Sequence, residues 1–165
     1  MLDGVDAARD NEQPVFKAFF DPSRLFSWAF LRDVGEAAAK VLKEGETHFY
    51  ATYPLCSTVA MSYSELASRV GTILGLDQTA GGPFKIEVVD FRVAIDTLNI
   101  VNFGRKDVDQ IYTDPAERML LYYHTRGLPG NPNVLQWLLG RKPARIEDVI
   151  KELRGGSPIH VMNGE

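Results

Sequence analysis

Short segments of alternating or clustered apolar residues predict four strands in this chain. The first is 15–20 (VFKAFF), which is rich in β-forming residues and is followed by the strand breaker Asp21-Pro22-Ser23. The apolar run 26–31 (FSWAFL) comes next, and the remaining two are 47–53 (THFYATY) and 84–89 (FKIEVV). These strands are too few and too scattered for a complete doubly wound sheet. The pattern therefore predicts a small α/β fold with α+β character.

Apolar residues at helical spacing predict six helices between and after these strands. Two of them open with a capping box, at Asp33 with Glu36 and at Ser62 with Glu65, in which the first side chain caps the free backbone N–H groups. The expected ranges are 33–44, 62–74, 90–103, 114–126, 133–139 and 144–153. The start at Asp114-Pro115 combines a cap residue with a proline at the first helical position. The predicted order is β, β, α, β, α, β and four further helices.

The composition indicates one globular domain and excludes several classes of partner. With 165 residues, 45% of them hydrophobic, we expect a domain at 14–154 between a flexible lead at 1–13 and a flexible tail at 155–165. A net charge of −4 argues against nucleic-acid binding, and no apolar run approaches the roughly 20 residues that cross a bilayer. The lone Cys56 excludes an internal disulfide and favours a reducing, cytoplasmic location. The histidines and this cysteine have no metal-ligand spacing, so no metal site is expected.

Three segments carry a resemblance to a known family. They are SWAFLRDVGEAAAKVL (27–42), YPLCSTVAMSYSELASRVGTILG (53–75) and MLLYYHTRGLPGNPNVLQWLLGRKPARIEDVI (119–150). In this order they resemble the C-terminal part of the NmrA-like family, the atypical short-chain dehydrogenase/reductase relatives. The resemblance implies a truncated Rossmann-type, substrate-side domain with a helical C-terminal cap. The family's glycine-rich NAD(P) turn has no counterpart, since the sequence contains no G-x-G-x-x-G, and so no residue is assigned to a cofactor.

Candidate site residues are acid/base groups and aromatic side chains. The catalytic candidates are Asp33, His48, Asp90 and His124. Asp33 follows an apolar run at the end where ligands gather in open α/β sheets, and the histidines titrate near neutral pH. The substrate-binding candidates are Phe20, Trp28, Tyr50, Tyr53 and Tyr122. Each also has a structural interpretation, as a helix cap, a core residue or part of a dimer face.

Taken together, these residues predict an enzyme that uses no cofactor and acts on a hydrophobic small molecule in an aromatic-lined cleft. Isomerisation, cyclisation or dehydration would need only shape and one acid or base. The resemblance adds secondary metabolism as a setting. Two alternatives stay open: a non-catalytic binding or regulatory module, and a fragment of an NAD(P)-dependent reductase. A sheet with few strands leaves apolar faces to be covered, so we also expect a homodimer.

Overall fold

The computed structural model describes residues 13–76 and 82–154. The expected flexible lead and tail lie outside these residues, apart from Gln13. The strands are β1 (Val15–Ala18), β2 (Leu25–Phe26), β3 (Met61–Ser62) and β4 (Lys85–Val88). The helices are α1 (Leu31–Glu44), α2 (Tyr63–Leu74), α3 (Phe91–Phe103), α4 (Gln110–Arg126), α5 (Asn133–Leu139) and α6 (Ile146–Arg154), with a 3₁₀ turn at Gly45–His48.

The strands form two small sheets. β1 and β4 are parallel, with Val15 opposite Lys85 and Ala18 opposite Val88, whereas β2 and β3 are antiparallel. Helices outnumber strands in the described part of the chain, as predicted. The expected α/β class is therefore confirmed.

A third chain segment attaches to β2 through a glycine in an unusual conformation. Leu128 bridges Phe26 and exchanges backbone hydrogen bonds with Leu25 and Ser27, at 2.9 and 3.0 Å. The preceding Gly127 has φ 69° and ψ −165°, a region that side-chain-bearing residues almost never occupy. A Cβ atom here would also lie 2.3 Å from the carbonyl oxygen of Leu25. Gly127 therefore ends α4 and lets the chain turn directly onto β2.

Side-chain caps begin two of the described helices. The Ser62 side chain accepts a hydrogen bond from the Glu65 backbone N–H at the start of α2. The Asp90 carboxylate accepts from the N–H groups of Arg92 and Val93 at the start of α3. Each side chain satisfies backbone donors that have no partner inside the helix. The cap predicted at Ser62 is confirmed, whereas the cap at Asp90 was not predicted.

Four expected elements differ from the structure. The predicted strand 26–31 is reduced to β2 (Leu25–Phe26), and residues 27–30 have no regular structure. α1 begins at Leu31 instead of Asp33, and Asp33 lies buried in its first turn. α4 begins at Gln110, so Pro115 lies within the helix and does not open it. Segment 47–53 is not a strand, because it leaves α1 through the 3₁₀ turn and then runs without regular structure.

The core consists of three apolar clusters. The largest joins β1, β2, β3, α2 and α6 around Phe16, Phe26, Met61 and Tyr63. The second packs Ala37 of α1 against Leu135 and Leu138 of α5, and the third joins α3 to α4. Many apolar side chains of α3 and α4 remain exposed, among them Val93, Val101, Ile111, Leu121 and Tyr122. None of the described helices has the length and apolar character needed to cross a membrane.

A cationic cleft as the candidate functional site

An open cleft lies between the start of α1, segment 57–61, α2 and the chain that links α5 to α6. Its volume is about 840 Å³, within the range of small-molecule sites. Its charged lining residues are Arg32, Arg69, Arg141, Lys142, Arg145, Glu147 and Asp148. Its uncharged lining residues are Ser57, Thr58, Val59, Met61, Pro132, Gln136, Pro143, Ala144 and Ile146.

Asp33 lies directly behind the wall of this cleft and is completely buried, at 0% exposure. One carboxylate oxygen, Oδ1, accepts from the Arg141 guanidinium at 2.9 Å. The other, Oδ2, accepts from the Ala144 backbone N–H at 2.8 Å and from the Ser57 hydroxyl at 3.2 Å. All three donors belong to residues that line the cleft, so Asp33 holds its wall in place. The structure thus gives Asp33 a positioning role, whereas the sequence suggested a helix cap or a catalytic group.

Arg141 joins α1 to the segment before α6. Its guanidinium also donates to the Glu36 carboxylate and to the Lys142 carbonyl oxygen. Glu36 and Asp33, in that order, raise the pKa of this guanidinium by hydrogen bonding and charge attraction. Arg141 therefore stays charged while its contacts fix the direction in which segment 141–144 runs.

The opposite wall is attached to the chain that leaves β2. The Trp28 carbonyl oxygen accepts from the N–H groups of Ser57 and Thr58, at 2.7 and 3.2 Å. In return the Thr58 hydroxyl oxygen accepts from the Trp28 N–H, and that of Ser57 from the Phe30 N–H, at 2.9 and 3.0 Å. The Ser57 hydroxyl also donates to Asp33, so both walls belong to one hydrogen-bonded network.

Most of the cationic groups of the cleft are already paired with carboxylates. Arg32 pairs with Glu152 at 2.9 Å, Arg69 with Glu65 at 3.0 Å and Arg145 with Asp148 at 2.9 Å. Arg69 also lies 3.8 Å from Glu147. Lys142 is different, because its ammonium group has no ion-pair partner among the described residues. The cleft thus combines oriented guanidinium groups with one cation that is free to meet a ligand.

The aromatic side chains of the N-terminal third, including Phe16, Phe20, Phe26 and Trp28, pack in or against the main core cluster. Phe20 stacks on Phe26 at 5.1 Å between ring centroids, and Trp28 meets Tyr63 edge-on at 5.3 Å. Burial raises the pKa of the Tyr63 phenol to about 12. No aromatic residue appears among the described residues that line the cleft. The expectation of an aromatic-lined cleft is therefore not met, because the aromatic run contributes its rings to the interior.

A second cluster of polar groups lies away from the cleft. The His48 ring accepts or donates at both nitrogens, with Nδ1 2.8 Å from the Tyr53 hydroxyl and Nε2 2.8 Å from Glu44 Oε2. The imidazole is only 7% exposed. The alternating pattern at 47–53 suggested a strand, with His48 and Tyr53 on opposite faces. The 3₁₀ turn instead brings the two side chains together, and none of the three residues lines the cleft.

This cluster predicts an acid-sensitive contribution to stability. The hydrogen bond from His48 lowers the pKa of Glu44 below its usual 4.5. A carboxyl with a depressed folded pKa stabilises the fold above its unfolded pKa, and this contribution is lost as the pH falls through the folded value. Glu44→Gln should therefore flatten the loss of stability between pH 5 and pH 3, measured by urea unfolding. His48→Asn should flatten it equally, and an unchanged pH slope in either variant would contradict the role of this pair.

The remaining candidates do not come together. Asp90 is an exposed helix cap, and His124 is exposed near Asp21. Tyr122 is half exposed, with the Arg126 guanidinium 5.9 Å from its ring centroid. Tyr50 is fully exposed with a positive φ of 63°. The catalytic and substrate-binding roles suggested for these residues stay predictions.

Sequence reasoning missed the cations that line the cleft. One signal was available, since Arg141, Lys142 and Arg145 fall within five residues of an acidic chain. Arg32 and Arg69 carried no such signal, because only the tertiary fold brings them to the cleft. Among the described residues, no three His, Cys, Asp or Glu side chains converge as metal ligands.

With this geometry established, the fold can be compared with known proteins. No family model and no curated protein matches the sequence. A structure of Citrobacter sp. triphenylmethane reductase matches 92% of this chain at 19% identity, with a TM-score of 0.58. A structure of this reductase complexed with NADP(H) matches 90% of the chain at 19% identity, with a TM-score of 0.55. At this identity the likeness establishes the fold alone.

The matched region is a larger share of this chain than of the two reductase chains. They amount to 48% and 47% of the two reductase chains. This chain therefore spans about half the length of the reductase that it resembles.

Proposed function

We propose that this chain forms the substrate-side part of an NAD(P)-dependent reductase of the NmrA-like type. The observation that carries the proposal is the fold shared with an NADP(H)-binding reductase over nine-tenths of this chain. The three segments that resemble the NmrA-like family favour the same origin. The cationic cleft would hold the substrate, while polypeptide corresponding to the rest of that reductase would hold the nucleotide.

The described residues do not fit a dinucleotide themselves. A pyrophosphate binds where a glycine-rich turn joins a strand to a helix N-terminus. The turn from β4 to α3 contains Asp90 instead, and its carboxylate already accepts from the first N–H groups of α3. A phosphate placed there would meet this negative charge. The described residues thus offer a wall for a substrate and not a pyrophosphate site.

The arrangement of polar groups favours this proposal over a cofactor-independent isomerase. Proton transfer needs a group within hydrogen-bond reach of the substrate. Asp33 is saturated by three donors behind the wall, and His48 is bonded at both ring nitrogens elsewhere. Neither residue lines the cleft. In a reductase the reacting hydride comes from the nucleotide, so the cleft would need only to bind and orient.

A chimeric enzyme tests the proposal. Residues 14–154 would be joined to the part of the Citrobacter reductase that they do not span, and NADPH oxidation would be followed with sulfonated, anionic triphenylmethane dyes. We expect NADPH-dependent turnover by the chimera, and no saturable NADPH binding by the 165-residue chain in equilibrium dialysis. Tight binding of NADPH by the chain alone, or turnover of a substrate without nucleotide, would refute the proposal.

A second polypeptide is also proposed to cover the exposed apolar side chains of α3 and α4 and the outer edges of the β1–β4 sheet. Unpaired strand edges and apolar helix faces favour association. A second copy of this chain is one occupant, as in the homodimer expected from the sequence, and a cytoplasmic location would suit it. Sedimentation equilibrium at micromolar concentration measures this directly, and a strict monomer would exclude the homodimer. A purely regulatory module remains the alternative if no reductase activity is found.

A further inference from the structure

The cleft combines positive charge with an apolar floor. Five cationic side chains line it against the carboxylates of Glu147 and Asp148, although the whole chain carries a net charge of −4. Between the charged groups lie Val59, which is 60% exposed, and the partly exposed Pro143 and Ala144, with the buried Met61 and Ile146 beneath them. A ligand that matches both features has an anionic group and an apolar body.

Carboxylate partners hold the arginines in place but do not use all of their N–H donors. A guanidinium carries five N–H donors. Arg32 uses only Nη1 for both oxygens of Glu152, and Arg145 uses Nε and Nη2 for Asp148. The partners of Arg32 and Arg69 include Glu152 and Glu65, which lie outside the cleft lining. These contacts restrict the side chains before a ligand arrives and leave donors for it, which lowers the entropic cost of binding.

Lys142 provides the charge that the fold itself does not neutralise. It is exposed, and no described carboxylate lies within ion-pair distance of its ammonium group. Its backbone position is fixed, since the Lys142 carbonyl oxygen accepts from Arg141, and Asp33 accepts from Arg141 and from the Ala144 N–H two residues further on. A flexible cation on a rigid backbone suits a carboxylate or phosphate that enters from solvent.

We propose that this cleft binds a small amphipathic anion, a carboxylate or phosphate ester with an apolar body, whose anionic group contacts Lys142 and the free guanidinium donors of Arg32 and Arg145. Its apolar part would lie on Val59, Pro143 and Ala144. Naming this ligand as the substrate rests on the proposed reductase function. Its binding rests only on the cleft.

Calorimetric titration of the 165-residue chain, without nucleotide, tests the proposal. The probes are octyl phosphate and octanoate, both below their micelle concentrations, with octyl glucoside, octylammonium and inorganic phosphate for comparison. We expect one site that prefers either octyl anion at least tenfold over the neutral and cationic octyl compounds. Inorganic phosphate should bind more weakly than octyl phosphate, because it lacks the apolar part. Equal binding of octyl phosphate and octyl glucoside, or of octyl phosphate and inorganic phosphate, would overturn the proposal.

A matched pair of charge variants locates the site. Lys142→Gln should weaken octyl phosphate binding about fivefold, the effect of one charged hydrogen bond at a partly solvated position. Lys43→Gln removes the same charge from an exposed position on α1 outside the cleft and should leave binding unchanged. Because both lysines are exposed, thermal unfolding should show both variants folded. Wild-type affinity in Lys142→Gln would place the anion elsewhere. A negative binding result would not contradict the reductase proposal, because that proposal is tested by NADPH turnover in the chimera.

Discussion

Replacing Asp33 with alanine is expected to destabilise the protein by about 3 kcal/mol, because it leaves a paired charge, the buried Ser57 hydroxyl and the partly buried Ala144 N–H without this acceptor. The carboxylate is fully buried and accepts from Arg141, Ala144 and Ser57. Arg141 keeps Glu36 as a partner and is partly solvated, so its share of the loss is reduced. Urea unfolding with a linear extrapolation measures the change in free energy.

An exposed acid on a helix gives the matched control for this variant. Asp114 pairs with Arg118 at 2.7 Å on the surface of α4. Asp114→Ala removes the same side chain from a solvated ion pair and should cost less than about 0.5 kcal/mol. Equal effects of the two substitutions would mean that Asp33 does not support the cleft wall. In Asp33→Ala we also expect weaker octyl phosphate binding, since three lining residues lose their anchor.

Gly127→Ala is the second substitution with a large expected effect. Its backbone conformation is confined to glycine, and a methyl group would lie 2.3 Å from the Leu25 carbonyl oxygen, far inside contact distance. That oxygen accepts from Leu128, so relief of the clash would break the link between β2 and the segment after α4. We expect a loss of about 3 kcal/mol or more in the free energy of unfolding, or failure to fold.

Gly104→Ala measures the cost of an ordinary left-handed backbone where no contact interferes. Gly104 also has a positive φ, of 70°, but a Cβ atom there meets nothing within 4 Å. This variant should lose only about 1 kcal/mol, the cost of the left-handed conformation for alanine. A similar loss in both variants, measured by urea unfolding, would show that the contact with Leu25 contributes little.

Features set by neighbouring residues were predictable from the sequence. The cap at Ser62 was identified because a helix start depends on a side chain and the backbone N–H groups two or three residues later. β4 was identified because its alternation is uninterrupted. The small number of strands also gave the correct fold class.

Two elements were predicted wrongly although the contacts that accompany them are local. Segment 47–53 has the alternation of a strand, but the contacts of His48 with Glu44 and Tyr53 accompany a 3₁₀ turn. Asp114-Pro115 suits a helix start, yet α4 begins a turn earlier. There the buried Thr113 hydroxyl donates to the carbonyl oxygens of Val108 and Asp109. Propensity is a weak preference, and in both cases side-chain contacts between residues four or five positions apart accompany a different backbone path.

The candidate site was the least predictable part of the protein. Asp33 was singled out, but as a cap or an acid, because nothing in the sequence shows that it meets residues more than 100 positions away. Within the apolar segment 133–139, Trp137 is 63% exposed with its ring centroid 6.1 Å from that of Tyr53, while Leu135 and Leu138 fill the core. A repeated apolar pattern identifies a helix more reliably than it identifies which side chain is buried.

The two tryptophans provide separate optical signals from opposite environments. The Trp28 indole Nε1 is buried without a hydrogen-bond partner in the described structure, whereas Trp137 is largely exposed near Lys142. Trp28 should therefore emit at short wavelength and resist quenching by acrylamide, and Trp137 should emit at longer wavelength and be quenched readily. With only these two tryptophans in the chain, the blue component would report on the integrity of the core. The longer-wavelength emission of Trp137 would report on ligand binding near Lys142.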